Sequence, residues 1–190
     1  MNEGLDTGDL ILEEKIKIGN DDNLNTLSEK LSILSAKLFS NATSLLEENI
    51  YKNTNSQLTK QNSLGREITY ARMIEKSDFR VDWGNEAIEI SQKIKGLYPR
   101  ANTTFRGKNL KILKIKVLSS DEIKKEKYLL MSNCSRPGII LAVIENEGII
   151  ISTKTDPIIL LEAKLEGKNI SSKNQLIQQL KPIVGEYFSD

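Results

Sequence analysis

The hydrophobic period changes along this chain of 190 residues, and that change limits its possible folds more than any other feature. Leu24, Leu27, Leu31, Leu34, Leu38 and Leu45 recur at spacings of three, four and seven. Positions three or four apart share one face of an α-helix, so these leucines form a single apolar stripe. The spacing predicts an amphipathic helix running to about Glu48, with a core or coiled-coil role and no catalytic one. From Tyr51 to Arg66 the period dissolves into Lys, Asn, Thr, Ser and Gln, which reads as a linker and a domain boundary. After Pro99 the period becomes two. Leu113, Ile115 and Val117 alternate with Lys114 and Lys116, as in a half-buried strand with a basic outer face. A helical region, a break and a mostly β region follow from these observations.

Local signals fill in that outline. Leu10 to Ile18 is an apolar stretch carrying Glu13, Glu14, Lys15 and Lys17, and is predicted to be a half-buried strand. The turn cluster Gly19 to Asn23 offers caps for the leucine helix, and Thr26 with Glu29 has capping-box spacing, so the regular helix starts at one of the two. Ile68 to Ile74 and Asp78 to Trp83 open the second organised region. Trp83, the only tryptophan, is expected to fill a core with its indole N–H satisfied. Gly84 or Asn85 caps a helix faced by Ala87, Ile90, Ile94 and Leu97 and stopped by Pro99. Thr103 to Phe105 and Leu110 to Leu118 are strands around a Gly107-containing turn. Ser119 to Ser135 is a polar loop. Ile139 to Ile144, Ile149 to Thr153 and Ile158 to Leu165 are further strands, joined by Glu145-Asn146-Glu147-Gly148 and by Thr155-Asp156-Pro157. Ser171 or Ser172 caps a last helix with Leu176, Ile177 and Leu180. Short strands at close spacing suggest a small antiparallel barrel.

Composition mainly excludes. The 27 basic and 26 acidic residues leave a net charge of +1, so a nucleic-acid partner requires a local patch. There is no histidine, which removes Ser-His-Asp triads and His-Cys zinc sites; no metal is expected. The single cysteine, Cys134, forms no internal disulfide and has no histidine to activate it, which fits a reducing, cytoplasmic setting. No apolar run approaches the ~20 residues that span a bilayer, and the N-terminus lacks the pattern of a signal peptide. The sequons at Asn41, Asn102, Asn133 and Asn169 are read as chance products of an Asn-rich chain.

The chemistry-bearing stretch is Met1 to Asp9. By composition it is a polar turn before a strand. Its order is more specific: Gly4-Leu5-Asp6-Thr7-Gly8-Asp9 resembles the loop of the 10-formyltetrahydrofolate-dependent formyltransferases. Later segments resemble the same family in the same order. Tyr70-Ala71 and Val81-Asp82-Trp83 resemble its Tyr-Ala and Ile-Asp-Trp segments, and Ile94-Lys95-Gly96-Leu97-Tyr98-Pro99 resembles its Ile-Arg-Ala-Phe-Asn-Pro helix end. Pro137-Gly138-Ile139, Leu160-Leu161 and Gly167-Lys168 resemble its barrel strand and closing turn. Together they resemble the methionyl-tRNA formyltransferase family over nearly the whole chain.

That resemblance implies an α/β remnant of a Rossmann-like formyltransferase domain over residues 1–52, a linker over 53–76, and a mostly β, OB-like, tRNA-binding domain over 77–190. It implies formyl transfer from 10-formyltetrahydrofolate to the amino group of initiator methionyl-tRNA, with Asp6 as the catalytic carboxylate, Gly4 and Leu5 facing the folate, and Asp9 shaping the loop. The family's catalytic Asn and His and its Ser-Leu-Leu-Pro folate loop are not in this sequence. The chain is therefore expected to be the C-terminal part of a longer enzyme, monomeric and inactive alone. The tRNA contact is expected at the basic residues nearest the domain junction: Arg66, Arg72, Lys76, Arg80, Arg100, Arg106 and Lys108, each of which taken singly reads more readily as a solvated charge. Lys111, Lys114 and Lys116 are the alternative contact. Two other readings stand beside this one: a formyltransferase acting on a nucleotide-linked amino sugar, and a non-catalytic RNA-binding module.

Overall fold

The computed structural model describes residues 4, 6–52, 58–67, 69–123 and 136–189. Leu5 and Cys134, singled out above, lie outside them, as does most of the predicted loop from Ser119 to Ser135. The chain divides into two compact units, Met1–Met73 and Ile74–Asp190.

The first unit is dominated by one helix, α1 (Leu24–Lys52). Its N-terminus is capped by Asn23, whose Oδ1 accepts the N–H of Asn25 at 2.9 Å and of Thr26 at 3.1 Å. Thr26 does not start the helix; its hydroxyl oxygen returns the favour by accepting the Asn23 N–H at 3.0 Å. Ahead of the cap, the buried carboxylate of Asp22 accepts from the Gly19 N–H (2.7 Å), the Thr26 hydroxyl (3.1 Å) and the Lys30 ammonium (2.6 Å). Lys30, then the Gly19 N–H, hold its pKa below the usual value. The predicted strand at Leu10 to Ile18 does not form. Only Leu10 is paired, by an antiparallel bridge to Thr59 with both N–H···O distances 2.9 Å, and residues 11–18 run on irregular and exposed. An apolar alternating run becomes a strand only where another strand satisfies its backbone, and the described residues of this unit supply one paired position.

The second unit is an antiparallel sheet with helices on it. After a short 3-10 turn at Lys76–Phe79, helix α2 (Ala87–Gly96) starts at Glu86, not at Gly84 or Asn85. Glu86 and Glu89 form a reciprocal capping box, which satisfies two N–H groups that the first turn leaves open. Strands β1 (Asn102–Phe105) and β2 (Lys108–Val117) form a hairpin whose two turn residues, Arg106 and Gly107, both have positive φ (49° and 74°). The single helical turn α3 (Ser120–Ile123) follows. Then come β3 (Ile140–Ile144), β4 (Gly148–Ile151), β5 (Ile158–Leu165), β6 (Ile170–Ser172) and helix α4 (Lys173–Leu180). Ser172 is the N-cap of α4 by position, without a side-chain cap bond.

The strand order is β1-β2-β5-β4-β3, with β6 also on β5. β5 is the axis of the sheet. It keeps β2 along one edge, while its other edge pairs β4 at Ile158 to Leu160 and β6 at Glu162 to Lys164. β1 and β3 end the sheet, which is open as a set of strands. Ile90 and Ile94 of α2 and Leu176 and Leu180 of α4 pack into the main core with Leu110, Ile112, Ile140, Ile149, Ile151 and Leu160. Burying each such side chain is worth roughly 1.5–3 kcal/mol. Ile150 and Ile159 alternate to the opposite face, where they form a smaller cluster with Leu118 and Leu141. Gly148, at φ 151°, lets β4 approach β5: a Cβ there would lie 2.2 Å from the Leu160 carbonyl oxygen.

No period or motif in the sequence marks the last segment, 185–189, as an element. Ile140 donates to the Glu186 carbonyl at 2.7 Å, Phe188 to Gly138 at 2.8 Å, and Thr104 and Ser189 exchange N–H···O bonds of 2.8 and 3.0 Å. It thus bonds to the start of β3 on one side and to β1 on the other. Phe188 is buried with its ring 4.8 Å from that of Phe105 and 5.9 Å from that of Trp83. Trp83 fills this core as expected, its indole N–H donating to the Thr103 hydroxyl at 3.1 Å, which donates in turn to the Ser189 carbonyl at 2.8 Å.

Candidate functional site

Asp6 lies in an exposed turn in the left-handed region, at φ 55°. Asp is among the few non-glycine residues that enter that region readily. Two sets of contacts hold it there. Within the loop, the Thr7 hydroxyl donates to the Gly4 carbonyl at 3.0 Å; a Cβ on Gly4 would lie 2.9 Å from Thr7 Cγ2 and would push the Thr7 side chain out of that contact. From outside, the Gln61 side-chain amide donates to the Asp6 carbonyl at 2.9 Å and to the Gly8 carbonyl at 2.6 Å. The carbonyls of Gly4, Asp6 and Gly8 are thus engaged within the chain, and the Asp6 residue is left exposed to solvent. Gly4 and Asp6 stand in one turn; Leu5 is outside the described residues.

Gln61 belongs to a segment that composition marks only as polar. Leu58–Arg66 runs back along the start of the chain: Thr59 bridges Leu10, Gln61 holds the loop, and Arg66 pairs with Glu13 at 2.8 Å. Gly65, in the left-handed conformation at φ 61°, turns the chain between them. No sequence signal identifies these contacts, because one Gln among many polar residues has no period and no motif.

The basic residues expected to meet nucleic acid are in different situations. In the first unit Arg66 is engaged with Glu13, and exposed Arg72 donates to the Met73 carbonyl at 2.9 Å. In the second, Lys76, Arg80 and Lys108 are exposed, and the Arg100 guanidinium lies 4.6 Å from the centre of the Phe79 ring. Arg106 is the most committed. It makes paired bonds to Glu186 (2.9 and 2.7 Å), donates to the carbonyls of Leu180 (3.2 Å) and Lys181 (3.0 Å), and lies over Phe105. Glu186 raises the Arg106 pKa, and Arg106, followed by the Ile183 N–H, holds the Glu186 carboxyl below its ordinary value. A cleft of about 350 Å³ beside this pair is lined by Phe105, Gly107, Gly185 and Tyr187 among others.

On the outer face of β2, Lys114 sits opposite Glu162 and Lys116 bonds to Glu122, whereas Lys111 sits opposite Lys164. The last pairing sets like charges across two strands, which costs stability unless an anion lies between them. Among the described residues there is no group of three or more side chains able to hold a metal ion, and no helix of them is long and apolar enough to cross a membrane.

Comparison with known proteins defines the class. Residues 73–181 match the model of the formyl transferase C-terminal domain, and the chain belongs to that family. Over all 190 residues it is 90% identical to the methionyl-tRNA formyltransferase of Prochlorococcus marinus strain AS9601 and 57% identical to that of strain MIT 9515. A Synechococcus sp. strain CC9902 protein of the same name is 40% identical over 99% of the chain. The chain spans 58% of the length of each of these curated relatives. Among solved structures, a variant of HypX from Aquifex aeolicus matches with TM-score 0.63 at 15% identity, over 97% of this chain and 31% of that one. HypX in complex with tetrahydrofolic acid matches with TM-score 0.58 at 16% identity, over 97% of this chain and 30% of that one. At such identities the likeness concerns the fold.

Proposed function

We propose that this chain is part of a methionyl-tRNA formyltransferase, which moves a formyl group from 10-formyltetrahydrofolate to the amino group of initiator methionyl-tRNA in the cytoplasm. The observation that carries this reading is the 90% identity to a protein of that name across every residue of the chain. The loop chemistry agrees with it. The amine attacks the formyl carbon, the C–N bond to the folate nitrogen breaks, and the proton that the amine gives up is balanced by the one that the departing folate nitrogen takes up. Asp6 is the carboxylate that orients the reacting groups and helps that proton leave; Gly4 and Leu5 face the folate. The donors that stabilise the oxyanion, a role this histidine-free sequence cannot give to imidazole, come from the portion of the protein that the chain does not span.

In this reading residues 1–52 close a Rossmann-like catalytic domain, 53–76 connect, and 77–190 form an OB-like barrel in which the segment ending at Ser189 joins the two ends of the sheet. Transfer RNA is held by exposed basic residues, among them Arg72, Lys76, Arg80, Arg100 and Lys108. Arg66 and Arg106 join them only after giving up the carboxylates they hold. The working enzyme is a monomer.

The test is a chimera in which this chain replaces the matching segment of the AS9601 relative. Asp6→Asn should leave it folded and cut turnover roughly 10²–10⁴-fold, the usual worth of a positioned proton-transfer group. Asp9→Asn should do far less. Near-normal turnover in Asp6→Asn with loss in Asp9→Asn would move the role to Asp9. A chimera that formylates a nucleotide-linked amino sugar and not methionyl-tRNA would sink the reading.

A further inference from the structure

The Asp6 loop has a brace that comes from far away in the sequence. Gln61 lies 55 and 53 residues from the carbonyls of Asp6 and Gly8 that it holds. A primary amide has two N–H bonds fixed about 120° apart on one nitrogen. Spending one on each carbonyl fixes the spacing of the two oxygens, and with it the backbone through Thr7 and the orientation of the Asp6 peptide plane. On the other side of Asp6, the Thr7 hydroxyl closes the turn on the Gly4 carbonyl at 3.0 Å. The Asp6 Cα, at φ 55°, is held between these two attachments, so the clamp on its carbonyl also limits where its Cα–Cβ bond aims the carboxylate. Gln61 is itself held in place. Two residues before it, Thr59 and Leu10 exchange both backbone bonds at 2.9 Å, and five residues after it Arg66 closes on Glu13 at 2.8 Å. Both attachments are weaker than they look, since the groups are exposed and compete with water. The amide is the only one of the three that touches the loop at Asp6.

We propose that Gln61 is a positioning residue for Asp6, keeping the carboxylate aimed by donating to the carbonyls on both sides of Thr7. This rests on the reading of Asp6 as the catalytic carboxylate. The role demands a donor and not a shape, and that is what separates it from mere packing.

The chimera described above carries the test. Gln61→Glu keeps size and shape but turns both donors into acceptors facing carbonyl oxygens. Gln61→Met keeps length with no donor. Gln61→Lys keeps a flexible ammonium able to donate to both oxygens. With two hydrogen bonds lost and the carboxylate misaimed, kcat should fall roughly 10–100-fold in the Glu and Met variants, while KM for methionyl-tRNA stays within about threefold of the parent. Gln61→Lys should recover most of the loss. Hydrogen exchange gives a readout independent of activity: the Leu10 amide, bonded to Thr59, should exchange faster in Gln61→Met than in Gln61→Lys. Parental kcat in Gln61→Glu, a Lys variant as slow as the Met variant, or equal changes in kcat and KM would each overturn the proposal. A parent chimera without formylation activity would instead remove the proposed function. The brace would then be judged by exchange alone, and unchanged protection of Leu10 in Gln61→Met would refute it.

Discussion

Helices α1 and α2 give the same sequence signal and meet different fates. α1 has 29 residues and a leucine stripe, yet none of its described side chains is buried. Leu24 and Leu31 are 39% and 42% exposed, and Phe39 is 73% exposed. α2 has 10 residues and buries Ala87, Ile90, Ser91 and Ile94. The difference lies in what faces them. α2 rests on β2, while the first unit contains no sheet among its described residues. Helical periodicity states that a helix has an apolar face; it says nothing of what covers that face. Most helical stability comes from such cover and not from propensity, so α1 in this chain depends on its cap and its length.

That contrast can be broken most directly at Ile90. Ile90→Ala should cost about 2–5 kcal/mol, since the side chain is 2% exposed inside the main core. Urea unfolding followed by fluorescence is selective, because the only tryptophan, Trp83, sits in the second unit. A cost below about 1 kcal/mol would mean that α2 is no better covered than α1. The same truncation at Leu34, on the α1 stripe, should change the far-ultraviolet dichroism midpoint of this chain by no more than about 0.5 kcal/mol. In the full-length chimera it should cost several times more if the stripe finds its cover there. Equal and large losses in both settings would show α1 already covered.

The smallest effect is electrostatic and sharpens the second unit alone. Glu122 is held at about 2, first by the Lys116 ammonium and then by the Ser119 N–H, against an ordinary 4.5. A carboxyl depressed in the folded state binds fewer protons there than when unfolded, so its contribution is full above 4.5 and fades as pH falls from 4.5 toward 2. Glu186 acts in the same direction. The Trp83-reported urea midpoint should drop over that interval, and Glu122→Gln should flatten part of the drop. Both ion pairs are open to solvent, so high salt should shrink the effect. A midpoint that rises on acidification would contradict the sign.

What the sequence made legible was local and repetitive. The leucine stripe, the alternating strand at Leu113 to Val117, the Gly107 turn and the buried indole of Trp83 each rest on a period or on one residue's chemistry. What it hid was non-local. Leu10 to Ile18 has a strand's residues and lacks a strand's neighbour, and pairing is a property of two segments. Glu86 outcompetes Gly84 and Asn85 as a cap because Glu89 can answer it, a reciprocity visible only once the helix start is known. The loop around Asp6 could be singled out from six residues in order, but not the Gln61 that holds it, since one polar side chain among many has no pattern. The terminal pairings of Ser189 and Tyr187 were hidden for the same reason.

Those terminal pairings bear on how the protein is made. Phe188 is 3% exposed, against Phe105 from the first strand and near Trp83, which precedes every strand. The aromatic centre of the second unit is therefore assembled from both ends of its sequence. While Phe188 is still inside the ribosome, the strands already released can pair, but their core has an unfilled centre. A nascent chain in that condition exposes apolar surface for the full time needed to translate the unit, and its folding waits for contacts of long sequence separation. A premature stop at residue 187 would remove Phe188 and leave that centre unfilled, and would yield a chain for quality control to remove.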